Sequence, residues 1–501
     1  MTTSKPGTAR SFWWAPGVLF AALTAFYLFF IVDPTWHQGW DSATYLLTAR
    51  NLAAGRGYTL FDQPFILRPP GFAYLLSWLI GANEPLHFYQ LNILMALLGL
   101  AALIPIYAVF RRAIGGLPAA GATLLFATSP LFISQFNLVL SEFLFLLLLY
   151  TGIWLLLPPA AGVRTSAIRR LAGLLVVTAA IYVRTIGLGL LPGIAVQSFR
   201  TKRLAGVAEL LLVVALLLPW FQFTTRAAAK LPRPDTQSAA FDYKTGFFHV
   251  DPGDPTSPLL GPDAWVKRII SNTKQLMLEL GRNVLHSARG TSAIIATLIV
   301  LGGFLAAWRG VGSLLDWWAL VYTAILIGWF VSDPRFVLPL SPMFYYYVVV
   351  AVTACAAWCE QRWNKRYVVR AATAGLLAVA VTINVATMRN SLDPYYESKE
   401  PGDYEQATWR MTEAAAQWID TRTPKDAVIL HRYPPIFEIL SDRRVYGYLL
   451  LRGQPLPAVD YAVLQGREAV LEPQIREKSV ESWVLTAPQS PSDNVRIYRL
   501  R

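Results

Sequence analysis

Charged residues make up only 15% of this 501-residue sequence, where soluble domains carry about 25%. Too little polar surface remains to hold a chain of this size in water, and the mean hydropathy of +0.40 agrees: the solvent for most of its length is lipid. Cysteine is nearly absent too. Cys355 and Cys359, the only two, lie one helical turn apart in an apolar run, a setting for packing thiols rather than for a disulfide or a metal centre, so they leave the redox compartment open. The five histidines are scattered, with no HExxH zinc helix, and neither a GxxxxGKS/T phosphate loop nor a GxSxG elbow occurs. ATP-driven transport and zinc hydrolysis lose support accordingly.

What charge there is carries a net of +13, unevenly spread. From Met388 to Arg501 there are 15 basic and 16 acidic residues, so the surplus belongs to the preceding chain. There it falls in short clusters between apolar runs: Lys5 and Arg10, Arg111 and Arg112, Arg164 with Arg169 and Arg170, Arg200 to Arg203, Arg309, and Arg362 to Arg370. This is the positive-inside pattern, not a nucleic-acid face. The first apolar run ends in Asp33-Pro34-Thr35-Trp36 rather than a small-residue cleavage site, which predicts a retained first helix.

Nine runs are long enough to span a bilayer, or nearly so: Trp13 to Val32, Phe88 to Phe110, Leu117 to Ile133, Leu140 to Leu157, Leu204 to Phe221, Thr291 to Trp308, Leu314 to Val331, Phe336 to Trp358 and Tyr367 to Ala386. The stretch Leu171 to Phe199, about 29 residues, is too long for one ordinary helix and is flanked by Arg169-Arg170 and by Arg200, Lys202 and Arg203. Both flanks favour the cytoplasm, which one helix cannot satisfy. The spacing therefore predicts two short antiparallel helices turning near Arg184-Thr185-Ile186-Gly187, and about eleven spans in all. With the N-terminus inside, three long segments fall outside: 33–87, 224–290 and 388–501. The expected organisation is a transmembrane module over 1–387 and an extracytoplasmic domain over 388–501.

In the first outer segment, Ser42 to Ala54 reads as an amphipathic helix closed by Gly55 and Gly57, and Phe72 to Ile80 as an apolar stretch too short to span; both are expected to lie along the membrane surface. The second is rich in Pro, Gly and Asp from Leu231 to Asp263, with turns at Asp251-Pro252-Gly253-Asp254-Pro255, and becomes helical from about Ala264 to Leu285; its first half has the composition of a mobile lid. The tail pairs a helix, Tyr404 to Ile419, with β-rich runs at Ala427 to Leu430, Tyr461 to Leu464, Ser482 to Leu485 and Val495 to Tyr498, the pattern of a small soluble α/β domain.

Ionisable residues stand at the outer ends of the expected spans, where charge is costly unless paired or functional: Asp41, Arg68, Glu142, Arg184, Asp333 and Arg335. Asp41 could accept a proton from an acceptor hydroxyl, and could equally cap the helix beginning at Ser42. Glu142 opens the run Leu140 to Leu157, a placement that the helix dipole alone would explain. Arg68, Arg184 and Arg335 run against the positive-inside trend. A guanidinium suits bidentate phosphate contact, and three on one side suggest a site for an anionic headgroup; any one alone could instead snorkel, or form a structural pair such as Asp333 with Arg335.

Asp41 followed by Tyr45, Ala49, Leu52, Ala53, Gly55, Gly57 and Tyr58, then Arg68-Pro69-Pro70-Gly71-Phe72, resembles the first outer loop of GT-C glycosyltransferases, in particular the bacterial branch related to protein O-mannosyltransferases and the lipid A aminoarabinose transferases. Ser129-Pro130, Ser141-Glu142-Phe143-Leu144-Phe145, Arg184 with Gly187, and Asp333-Pro334-Arg335-Phe336-Val337-Leu338-Pro339-Leu340-Ser341-Pro342 follow in family order, so that the resemblance covers Trp13 to about Ala386. It implies a GT-C-like polytopic α-helical fold, a polyprenyl-phosphate-linked sugar donor, and transfer at the outer face of a membrane, here a bacterial inner membrane. Asp41 would be the carboxylate that acts as base or orients the acceptor, Glu142 a second acidic residue near the site, and Arg68 a partner of the donor phosphate. Tyr45, Arg184 and Arg335 would complete the substrate-binding set. Ser42 stands where the family has a second acid, and Gly71 where it has Leu. The first departure leaves no two-carboxylate motif for a divalent metal, and no metal ligand is assigned.

A sugar on a lipid phosphate carries its own leaving group and needs no nucleotide outside the cell. In-line attack by a hydroxyl or amine of a lipid, glycan or protein acceptor would invert the anomeric centre. A secondary transporter also places charge at membrane depth, but neither internal repeats nor broken helices in both halves are evident. A non-catalytic assembly protein that binds partners through 388–501 is the remaining alternative.

Overall fold

The computed structural model describes residues 15–36, 39–61, 63–81, 86–158, 165–201, 203–228, 243–251, 257–308, 312–331, 333–363, 366–396, 404–447, 458–465, 472–487 and 490–500. Helix α1 (Ala15–Phe30) leads into a first loop that holds α2 (Trp40–Ala53), a ribbon of β1 (Thr59–Leu60) and β2 (Gln63–Pro64), and α3 (Gly71–Ser77). Next come α4 (Phe88–Ile114), α5 (Gly116–Ala127), the single turn α6 (Pro130–Ile133), α7 (Glu142–Leu156), α8 (Ala167–Val183), α9 (Leu191–Thr201) and α10 (Arg203–Ala228). The second loop contains α11 (Tyr243–Phe248) and α12 (Pro262–Leu285), and α13 (Gly290–Ala307), α14 (Leu314–Gly328), α15 (Ser341–Trp363) and α16 (Arg366–Tyr396) complete the bundle.

Every apolar run named above contains a helix. Among the described residues, five helices are long and apolar enough to cross a membrane: Phe88–Ile114, Gly206–Ala228, Gly290–Ala307, Ser341–Trp363 and Tyr367–Thr387. Ile295, Leu298, Leu301 and Leu305 of α13 are exposed, the placement expected of side chains that face lipid. The opposite side of α13 meets α15 closely: a Cβ on Gly303 would stand 1.9 Å from the Tyr347 carbonyl oxygen, so only glycine permits this crossing. With shorter apolar helices packed among the long ones, the chain is a multi-pass membrane protein.

The stretch Leu171 to Phe199 is broken, as its flanking charges require. Helix α8 stops at Val183, Arg184 is extended (φ −146°, ψ 123°), and a 3-10 turn (Thr185–Leu190) leads into α9. Arg170 at the start of α8 donates to Ser198 near the end of α9 at 2.6 Å and pairs with Glu209 of α10. The two ends of the stretch therefore lie together.

The chain ends in α17 (Tyr404–Arg422), β3 (Val428–His431), α18 (Pro434–Ser441), β4 (Arg444–Gly447), β5 (Tyr461–Gln465), α19 (Glu472–Lys478), β6 (Ser479–Ala487) and β7 (Ser490–Leu500). The strands form one sheet in the order β4-β3-β5-β7-β6, with β3 parallel to β4 and β5, and β7 antiparallel to β5 and β6. Alternation along the strands sorts the two faces. Ile429, Val463 and Ile497 pack under α17, whereas Leu430, Ala462, Leu464 and Tyr498 cluster with Ile475 of α19 on the other side.

One expectation for the first loop is overturned. Helix α2 is not a surface helix with one wet face: from Ser42 to Ala49 every residue is buried. Its polar side chains are satisfied locally, Thr48 by the Thr44 carbonyl at 2.9 Å and Ser42 by the Gly39 carbonyl at 2.9 Å. Helix α3 packs on it from one side and α18 from another, with Ile439 reaching the bundle core. Arg50 of α2 faces the carboxylates of Asp442 and Glu438. Of the segment read as a mobile lid, residues 229–242 and 252–256 lie outside the described residues; 257–263 lead into α12.

Candidate functional site

The first loop is tied down residue by residue. After α1, the Asn137 amide donates to the Ile31 carbonyl at 2.8 Å, and the Asn92 amide to the carbonyls of Asp33 and Thr35 at 3.0 and 2.9 Å. Trp36 stacks on Phe88 with ring centroids 5.1 Å apart and donates its indole N–H to Ser42 at 3.2 Å. These contacts set where α2 begins. Its N-cap is Gly39, and no side chain caps it, so Asp41 in the first turn is not a capping residue. The Asp41 carboxylate faces inward instead.

There it meets two guanidinium groups. One oxygen is bound by Arg68 and the other by Arg335 Nη2 at 2.6 Å, and Arg335 Nε reaches Asp333 at 2.8 Å. Beside this cluster, Glu142 at the start of α7 is buried and pairs with Arg184 Nη1 at 2.5 Å. The Tyr45 hydroxyl lies 3.0 Å from Ser141 Oγ, to which Arg184 also donates at 3.3 Å. Arg68 stands over the Tyr45 ring at 5.3 Å, while Arg335 and Arg184 lie 5.1 and 5.9 Å from the centroid of Phe336. All six residues expected at a site, Asp41, Tyr45, Arg68, Glu142, Arg184 and Arg335, thus gather in one place, although they come from four separate parts of the chain.

Local sequence explains how each arrives. The Tyr58 hydroxyl donates to the Arg68 and Pro69 carbonyls at 3.0 and 3.3 Å, holding the Arg68-Pro69-Pro70 backbone. The following Gly71 lies against the end of α8, where a Cβ would come within 2.7 Å of the Tyr182 carbonyl oxygen; this is the physical reason for glycine at the position where the resemblance has leucine. Arg184 is aimed by the break in the 171–199 stretch. Arg335 sits in a 3-10 turn (Pro334–Val337) capped by Asp333, which accepts from the Arg335 N–H at 2.9 Å, and Tyr322 donates to the Phe336 carbonyl at 2.7 Å.

Burial alone would raise the Asp41 carboxyl; Arg68 and then Arg335 more than offset it and hold it below the usual carboxylate range. Asp41 is therefore ionised with both oxygens engaged. Among the described residues no group of three or more His, Cys, Asp or Glu is gathered as a metal ion would need. The donor set is guanidinium-rich and suits an anion. Ser141, which joins Tyr45 to Arg184, was missed as a site residue; its one signal in the sequence is that it precedes Glu142.

The fold defines the class: a multi-pass membrane protein of the GT-C fold. Among solved structures the chain is similar to ArnT from Cupriavidus metallidurans bound to undecaprenyl phosphate, with a TM-score of 0.60 and 13% identity over 97% of this chain and 98% of that one. The same holds for ArnT in the apo state, at a TM-score of 0.59 and 13% identity over 96% and 97%. The archaeal oligosaccharyltransferase AglB from Archaeoglobus fulgidus, in complex with an inhibitory peptide and a dolichol-phosphate, matches at a TM-score of 0.56 and 13% identity over 91% and 70%. No protein-family model and no curated protein sequence matches the chain. At such identities the likeness lies in the fold.

Proposed function

We propose that the protein is an inverting glycosyltransferase that moves a sugar from a polyprenyl-phosphate donor to a lipid, glycan or protein acceptor at the outer face of a bacterial inner membrane. The observation that carries this reading is the Asp41 carboxylate held between Arg68 and Arg335, brought together from separate loops. The ArnT neighbour is bound to undecaprenyl phosphate and the AglB neighbour to a dolichol-phosphate, which supports a lipid phosphate as the anion this cluster receives. The basic clusters between the helices support about eleven spans, with the 33–87 and 224–290 loops and a domain over 388–501 on the outer side.

The chemistry follows from exchange of partners. A phosphate entering the cluster competes with Asp41 for Arg68 and Arg335, whose forked donors fit its oxygens. As they turn to the phosphate, Asp41 loses the cations that kept its proton affinity low and stays buried, so its affinity for a proton rises. The acceptor hydroxyl or amine attacks the anomeric carbon and passes its proton to Asp41, and the bond from that carbon to the phosphate oxygen breaks with its electron pair going to the phosphate. Arg184, neutralised by Glu142, flanks the leaving group, with Tyr45 and Ser141 fixing its position. Asp41 is thus a base only once the donor is bound.

The test is mass spectrometry of outer glycans and envelope lipids from cells with the wild-type protein, with Asp41→Asn and without the protein. A sugar-bearing species present only with wild type is expected. Identical profiles in all three cells, with the protein inserted and folded, would sink the reading.

A further inference from the structure

Next to the Asp41 cluster an open recess of about 350 Å³, counted to its mouth, lies between α12, the end of α14 and the 3-10 turn that carries Arg335. Its wall is continuous with the cluster: Asp333 lines the recess and touches Arg335, which touches Asp41. Its frame is firm, because the Asn272 amide on α12 donates to the carbonyls of Ile327 and Trp329 at 2.9 and 2.7 Å and so locks α12 to the end of α14.

The lining combines two surfaces. Phe336 and Leu276 offer apolar faces, while Asp333, Glu279 and Gln275 offer polar atoms. Glu279 is 3% exposed on the side of α12 that also carries Asn272 and Gln275, next to Arg282 and with the Gln275 amide 3.4 Å away. Each candidate occupant meets a different fate here. A phosphate would be repelled by the two carboxylates, and a polyprenyl chain would leave carboxylates and amides without partners. A ring with a hydroxyl-bearing edge and a C–H face satisfies both surfaces at once.

We propose that this recess is the subsite for the glycosyl group of the lipid-linked donor, its hydroxyl or amino hydrogens donated to Asp333 and Glu279 and its C–H face laid on Phe336. The inference rests on the donor reading above and adds where the sugar sits while its phosphate lies among the arginines. Burial raises the Glu279 carboxyl, and the neighbouring Arg282 opposes this.

The test is native mass spectrometry of the full chain in lipid nanodiscs, titrated with undecaprenyl phosphate alone and with undecaprenyl phosphate carrying glucose, mannose, galactose or a hexosamine. Wild type is expected to bind at least one sugar-bearing lipid about tenfold more tightly than the bare one. An advantage confined to the hexosamine assigns the contact to an ammonium, and one shared with the hexoses assigns it to hydroxyls. Leu276→Trp, which fills the recess, and Glu279→Gln, which keeps its shape, should erase the advantage while bare-lipid binding moves less than about twofold. Equal loss of both lipids in the variants, survival of the advantage, or no advantage in wild type overturns the inference and leaves the phosphate reading standing. Wild type that fails to bind even the bare lipid removes the phosphate reading, and the subsite with it.

Discussion

Helix α7 has arginines at both ends, about 22 Å apart at 1.5 Å per residue over 15 residues. At its C-terminus Arg112 and Arg169 converge on Trp154, donating to its carbonyl oxygen at 2.6 and 2.5 Å with each guanidinium 5.0 Å from its ring. Among the described residues neither is paired with a carboxylate. At its N-terminus Arg184 pairs with Glu142, and Arg68 and Arg335 share Asp41 close by. The first pair is explained by the helix alone: unpaired carbonyls and the negative end of the dipole attract cations. The second group sits at the positive end, where a cation is disfavoured, and persists only because carboxylates are buried beside it. The outer arginines are the ones that a helix end does not account for.

That contrast breaks most readily at Asp41. Asp41→Asn keeps the shape and removes the charge, and turnover should fall by about 10² to 10⁴ with circular dichroism and detergent-solubilised size unchanged; full turnover would return Asp41 to a structural role. Arg335→Lys keeps the charge and loses the fork, and should lower kcat/KM for the lipid-linked donor by about tenfold or more. Arg112→Gln at the other end should leave turnover per folded molecule unchanged and lower thermal stability by about 0.3–1 kcal/mol; a large loss of activity there would erase the distinction between the two ends.

Acid gives the smallest response and sharpens the contrast. The folded-state affinity of Asp41 for a proton is depressed, so the stability its ion pairs supply is fully present above the ordinary aspartate value and is lost as pH falls through the lower folded one. The stability difference between wild type and Asp41→Asn should therefore hold constant from pH 7 to 5 and shrink only below about 4. The effect of Arg112→Gln should not change over that range, because no carboxylate takes part.

Much of this was legible in sequence because it depends on neighbours along the chain. The nine apolar runs, the helix from Pro262, the strands near 428, 461, 482 and 495, and the break at Arg184 all follow from hydropathy, turn residues and flanking charge. The charged residues at span ends were legible as a set, since charge near lipid demands a partner. Their pairing was not: Asp41 with Arg335, or Arg184 with Ser141, depends on how helices distant in sequence cross. Helix α2 misled for the same reason. Its Ser and Thr residues look like a wet face, yet they are buried in the folded chain, and α18, β4 and α19 themselves are too short to stand out. Glu279 is hidden in an amphipathic pattern that gives no hint of a carboxylate on the packed side.

The contact between α18 and α2 also has a bearing on biogenesis. A membrane chain is threaded from its N-terminus, so the first loop emerges early, while the helix that covers it is made almost last. Until then the part of α2 that meets α18 stays uncovered. Only a chain translated as far as α18 can complete this contact.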